Sequence, residues 1–193
     1  MSDAFSLVSS DDASLSSFES YLSSSSSEAV LALRSSSDHK DTLLHAICRS
    51  GAIGCARLLL AKGASHCAPN ADNAEGRTPL HLAADLYRED TSGSLAFEEI
   101  FEVLVNGGCV AVTDSKGKLP DVGDDATAMV TKPMEAALKN GRSLQKEIDQ
   151  ERKNRARAIF DEKLDEHISN QSACSIAVCD TVASEGYQFG SRG

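Results

Sequence analysis

Arg77-Thr78-Pro79-Leu80-His81-Leu82-Ala83-Ala84 decides the fold. Thr78 is a good helix N-cap, because its hydroxyl can accept from an orphan amide of the first turn. Pro79 follows at the first helical position, where its fixed φ helps and its missing N–H is not needed. A related stretch, Thr42-Leu43-Leu44-His45-Ala46, lies 36 residues earlier, with Leu43 in place of the proline. Each copy leads into a second apolar stretch that ends in glycine. In the first copy Arg49-Ser50-Gly51 ends one short helix, and the next buries Ile53, Ala56, Leu59 and Leu60 before Lys62-Gly63-Ala64. Gly63 supplies the left-handed residue that stops it. In the second copy Ile100 to Val105 runs into Gly107-Gly108. A helix–turn–helix unit of this size cannot bury its apolar faces alone, so neighbouring copies must stack.

These residues resemble the ankyrin repeat, which reads T-P-L-H followed by small residues and later L-L-x-x-G-A. The second copy matches the first part, with Gly76 also in place, and Leu59-Leu60-Ala61-Lys62-Gly63-Ala64 matches the end. The resemblance covers about residues 35–122. It implies an all-α fold: a short ankyrin-repeat solenoid of helix–turn–helix units joined by β-turn or hairpin connectors, with a long charged C-terminal helix added. It also implies structural roles for Thr42, His45, Gly63, Gly76, Thr78, Pro79 and His81, the histidines bonding to the motif threonine and to neighbouring backbone. Two departures stand out. Tyr87–Ser94 is an insertion after Leu86, and the connector Ser65–Glu75 is long.

Outward from the two clear copies the pattern weakens. A third start, Asp114-Ser115-Lys116-Gly117-Lys118-Leu119-Pro120, lacks the threonine cap, and Gly123-Asp124-Asp125 breaks the helix. Pro133–Leu138 reads as the second helix of that degenerate copy. Residues 1–37 are Ser-rich, yet Leu15, Phe18, Tyr21 and Leu22, then Val30, Leu31 and Leu33, recur at helical spacing. They read as two short helices of a divergent N-terminal capping repeat, with Asp12 a cap and disorder the competing reading. The organisation is therefore 1–37 capping repeat, 38–141 ankyrin repeats including the degenerate one, 142–169 charged amphipathic helix, and 170–193 flexible tail. In the charged helix Leu144, Ile148, Ala156, Ile159 or Phe160, Leu164 and Ile168 form a narrow stripe interrupted by Arg152. It either lies on the repeats or pairs as a coiled coil.

Composition agrees with packed helices. The chain has 193 residues, 41% hydrophobic, 5% aromatic, and no Trp. A net charge of −10 makes nucleic acid and anionic lipid poor partners. The six cysteines do not form a disulfide framework, and Cys48 and Cys55 sit in apolar helical patterns as small buried hydrophobes. No signal-like start and no membrane-length apolar run are present, so the expected location is cytoplasm or nucleus.

Site chemistry is thin. His66-Cys67 and the pair Cys174 and Cys179 lack a second ligand pair at zinc spacing, and His39 and His167 read as exposed. No nucleophile elbow and no phosphate loop exist, and Arg152–Arg157 is basic but flanked by acids. No catalytic residue, metal or cofactor is expected. The expected role is a protein–protein interaction module, an adaptor or scaffold. The resemblance places partner contacts at turn tips and on the first-helix face: Asp38, His39, Asp41, Arg49, Ser50, Glu75, Arg77, Asp85, Leu86, Tyr87, Arg88, Ser115, Lys116 and Lys118. The partner is another protein, with neither nucleic acid nor membrane. The alternatives are a structural protein that homodimerises through 142–168, or a regulatory or assembly subunit of an enzyme complex.

Overall fold

The computed structural model of the chain describes residues 4–8, 12–90 and 95–185. Two compact units divide it, Met1–Gln145 and Lys146–Gly193. A 3₁₀ turn, Ala4–Leu7, comes first. The helices follow as α1 (Asp12–Ser24), α2 (Ser27–Ala32), α3 (Leu43–Ser50), α4 (Ile53–Ala61), α5 (Ala64–Cys67), α6 (Pro79–Glu89), α7 (Leu95–Asn106) and α8 (Ala128–Glu185). No strand occurs among the described residues.

The first unit is a stack of helix pairs. Helices α3 and α4 form one pair and α6 and α7 the next; α3 packs on α6, and α4 on α7. The N-terminal segment repeats this plan in reduced form. Its 3₁₀ turn stands beside α3, where a first helix would be, and α1 packs on α4 as the second. Phe18, Leu22 and Val30 are buried there, so the sparse apolar residues among the serines are the ones that close this end. Ser26 caps α2 by accepting from the amide of Ala29. The core between layers is aliphatic: Leu44, Ile47, Leu59, Leu80, Ile100 and Leu104 are wholly buried, together with Phe101. Ile53 and Leu60 are only half-buried, whereas Ala56 and Leu59 are fully enclosed.

Helix ends follow the local chemistry. Gly51 ends α3 with φ of 64° and Gly63 follows α4 with φ of 84°, the left-handed conformation that glycine adopts without a Cβ penalty. The insertion is smaller than its sequence suggests. Tyr87, Arg88 and Glu89 form the last turn of α6, because nothing in Leu86–Glu89 stops a helix. The remainder, 91–94, lies outside the described residues. The long connector 65–75 absorbs its extra length as the single turn α5.

The third copy has no first helix. Residues 115–127 are non-helical, and α8 supplies the second helix, burying Val130, Met134 and Ala137 in the common core. Pro133 lies inside α8 near its start. The expected boundary at 142 is not a helix boundary, for α8 runs through it. Gly141 does not end the helix because it is the point of close approach: a Cβ there would collide with the Ala111 carbonyl. Alongside it the Ala111 amide donates to the Ala137 carbonyl (3.1 Å), and Gln145 both accepts from the Thr113 amide (2.7 Å) and donates to the Thr113 hydroxyl (2.9 Å).

In the second unit α8 continues to Glu185, past the expected start of a tail at 170. No Pro or Gly interrupts 142–185, so no breaker ends the helix earlier. Side chains from Glu151 to Asp165 are all exposed. Those of His167, Cys174 and Cys179 lie outside the described ones, as do residues 1–3, 9–11 and 186–193 altogether. No helix among the described residues is long and apolar enough to cross a membrane.

Replacing Gly141 with alanine raises helix propensity by about 1 kcal/mol yet is expected to lower the melting temperature, because backbone must move. A thermal melt followed by circular dichroism checks this; a variant that melts higher than the parent rejects the close contact.

Candidate functional site

Each turn tip is built by one side chain bonding its own backbone. Asn73 Oδ1 accepts from the amides of Glu75 (3.0 Å) and Arg77 (3.1 Å). Asp114 Oδ1 accepts likewise from Lys116 and Lys118 (2.8 Å each). Gly76 and Gly117 take positive φ at matching places, and Lys40 does so in the first tip at φ of 52°. There the Ser35 hydroxyl accepts from the Asp41 amide (2.9 Å) in the same role. The third start therefore keeps its tip although its helix is gone.

The motif histidines tie each helix start to the next tip. His45 Nδ1 accepts from the Thr42 amide (3.2 Å) and faces the Thr42 hydroxyl (2.7 Å), while Nε2 faces the Arg77 carbonyl at 2.7 Å. His81 repeats this with Thr78 and the Lys118 carbonyl, at 3.2, 2.9 and 3.0 Å. Since Nδ1 accepts an N–H, each ring is the neutral Nε2–H tautomer. Burial depresses the affinity of both rings for a second proton, and the carbonyl bonds only partly oppose it.

These local geometries repeat between copies, and the comparisons agree. A family model described as ankyrin repeats (3 copies) matches residues 20–114. Residues 20–114 are ankyrin repeats. No curated protein and no solved structure matches it. In the ankyrin frame Thr42, His45, Thr78, Pro79 and His81 are structural, and none is open to substrate: His45 and His81 are 0% and 4% exposed.

The residues expected to meet a partner fall into three groups. One is the row of tips. The exposed His39 ring lies 3.0 Å from Glu75, the Ala74 amide donates to the His39 carbonyl (2.7 Å), and the Ser115 hydroxyl donates to the Glu75 carbonyl. Asp38 is exposed beside them. A second group is the ankyrin first-helix face, where corresponding positions carry opposite charges. Asp41 pairs with Arg49 in the first copy (2.8 Å) and Arg77 with Asp85 in the second. Ser50 is exposed next to the first pair but spends its hydroxyl on the Ile47 carbonyl (3.1 Å). The third group is a cleft of about 300 Å³ that gathers Glu75, Arg77, Asp85, Arg88, Lys116 and Lys118. Arg88 reaches Asp121 across it at 3.1 Å.

Two of the expected contact residues, Asp41 and Tyr87, are also held by contacts within the repeat unit. Asp41 is 4% exposed and receives Asn73 Nδ2 at 2.9 Å as well as Arg49. Burial alone would raise its pKa, but the bonds from Asn73 and Arg49 outweigh this and hold it below the usual value. Tyr87 packs edge-on against Phe101, with ring centroids 5.9 Å apart, and its hydroxyl accepts from the Thr127 amide (3.2 Å). Leu86 is half-buried. Conversely Asn73, Asp114 and Asp121 were missed. The shared Asn/Asp-x-x-Gly spacing before each start, Asn73 to Gly76 and Asp114 to Gly117, was the available signal. No group of three or more potential metal ligands occurs among the described residues.

Two predictions arise from this geometry. Because the folded histidines have lowered pKa values, the unfolded chain binds more protons below the unfolded value of about 6.5. The stability is fully present above that pH and is lost as pH falls through the lower, folded values. Melting temperature should therefore drop from pH 7 to pH 5, and His45→Gln with His81→Gln should flatten that slope. Asp41→Ala should lose about 1–3 kcal/mol by stranding Asn73, whereas Arg49→Ala, at a half-exposed pair, should lose about 1 or less. Urea titration measures both, and equal losses would contradict the structural assignment of Asp41.

Proposed function

We propose that this chain is a non-catalytic adaptor whose partner engages the cleft beside α6 and the row of turn tips. Ankyrin repeats are generally protein–protein interaction modules. One observation carries the reading: both signs of charge stand exposed on a frame whose backbone is already hydrogen-bonded. Glu75 and Asp85 are each 45% exposed and Arg88 is 53% exposed, while Lys116 and Lys118 are exposed above the Asp114 turn. A partner segment with alternating charge can meet them without reordering the loops, which keeps the entropic penalty of association small. Charges of both signs favour selectivity and encounter rate more than raw affinity.

The test is affinity purification of the tagged full-length chain from its native cells, with mass spectrometry of what co-purifies. The parent is compared with the combined variant Asp85→Ala, Arg88→Ala, Lys116→Ala. These side chains support little packing, so the melting temperature should hold within a few degrees. The stoichiometric partner should fall at least about tenfold, the scale of losing 1.4 kcal/mol at the interface. An unchanged partner profile would remove the cleft as the docking surface.

A further inference from the structure

The exposed stretch of α8 between Glu147 and Asp165 is segregated by charge around its circumference. At about 100° per residue, Ala156, Phe160 and Leu164 fall on one side, flanked there by Lys153, Arg157 and Lys163. Glu147, Glu151, Glu162 and Asp165 fall on the opposite side, with Asp149 and Arg155 as the exceptions to the division. Phe160 is 66% exposed and Leu164 46%. A large aromatic left this open between three cations has the make-up of a docking ridge, and its complement must be acidic with an apolar floor.

Pairing two such helices through this ridge sets the cations Lys153, Arg157 and Lys163 of one copy against those of the other, which is repulsive. The repeat unit offers the opposite chemistry. A groove of about 420 Å³ has Tyr87 and Val122 in its wall and Asp90, Glu98, Asp124 and Asp125 around them. The cation in its lining, Arg88, is bridged to Asp121. The groove's volume exceeds that of a phenylalanine side chain, and its rim charge is opposite to that of the ridge.

We propose that the occupant of this ridge is a second copy of the chain. The Phe160 face of one copy seats in the Tyr87–Val122 groove of the other, with Lys153, Arg157 and Lys163 against the rim carboxylates. Reciprocal exchange closes a two-fold dimer and satisfies both ridges at once. This contact shares Arg88 with the cleft assigned to the partner protein, but the reversals below leave Arg88, Asp85 and Lys116 in place, so either assignment can fail alone.

Sedimentation velocity of the full-length chain tests it, over micromolar concentrations in about 50 mM and about 500 mM sodium chloride, which shortens the screening length several-fold. The expected result is a concentration-dependent dimer whose dissociation constant rises at least tenfold in the higher salt. Helix reversal (K153E with R157E and K163E), groove reversal (D124K with D125K) and F160S should each abolish it. Helix reversal makes the chain more acidic and groove reversal less so, so a loss in both cannot come from net charge. A chain with all five reversals should dimerise again. A monomer throughout, a dimer indifferent to salt, or one that survives either reversal overturns the proposal. So does a monomer that instead binds vesicles containing phosphatidylserine, which assigns the ridge to lipid.

Discussion

The imidazole of the repeat motif is the interaction on which the first unit depends. One ring does two jobs at fixed geometry: Nδ1 completes the cap on its own helix, and Nε2 reaches the carbonyl of the next tip, Arg77 for His45 and Lys118 for His81. Hydrophobic burial between helix layers is larger in total but non-directional. The imidazole bonds set the register at which one copy meets the next. They also require neutral rings, and that couples helix starts, turn tips and protonation in a single arrangement.

From this register the surface follows. The tips are held by Asn73, Asp114 and the Ser35–Asp41 contact, so the side chains they display stand on a backbone with its bonds already made. The third copy shows how separable the parts are. Its tip forms with the same Asp-led geometry although it lacks a first helix, because the preceding copy's His81 needs only the Lys118 carbonyl. A degenerate repeat can therefore lose a helix and still close its neighbour.

The repeating core was legible in the sequence because its signals are local. Thr78-Pro79 starts a helix, Gly51 and Gly63 end helices, and the Thr–His spacing brings the pair within one turn. What was hidden depended on residues distant in the chain. Asp41 reads as a charge at an exposed tip until Asn73, which lies 32 positions away, is seen to enclose it. Tyr87 reads as part of a loop until Phe101 and Thr127 are placed around it. Gly141 looks like a terminator, and only the Ala111 backbone beside it shows why the helix continues. Local chemistry announces an element, whereas the burial of a polar group depends on a neighbour that periodicity does not reveal.

The reversed ion pairs, Asp41 with Arg49 and Arg77 with Asp85, bear on how such an array can change over generations. Copying the first repeat into the place of the second would set an aspartate where Arg77 stands and an arginine where Asp85 stands, reversing the charge at both rungs. Homologous segments are thus similar enough to recombine but not interchangeable. Because both partners of each pair lie within one repeat, a duplicated copy would carry its ion pair intact, and lengthening the array would change the charge pattern on the first-helix face without breaking a pair.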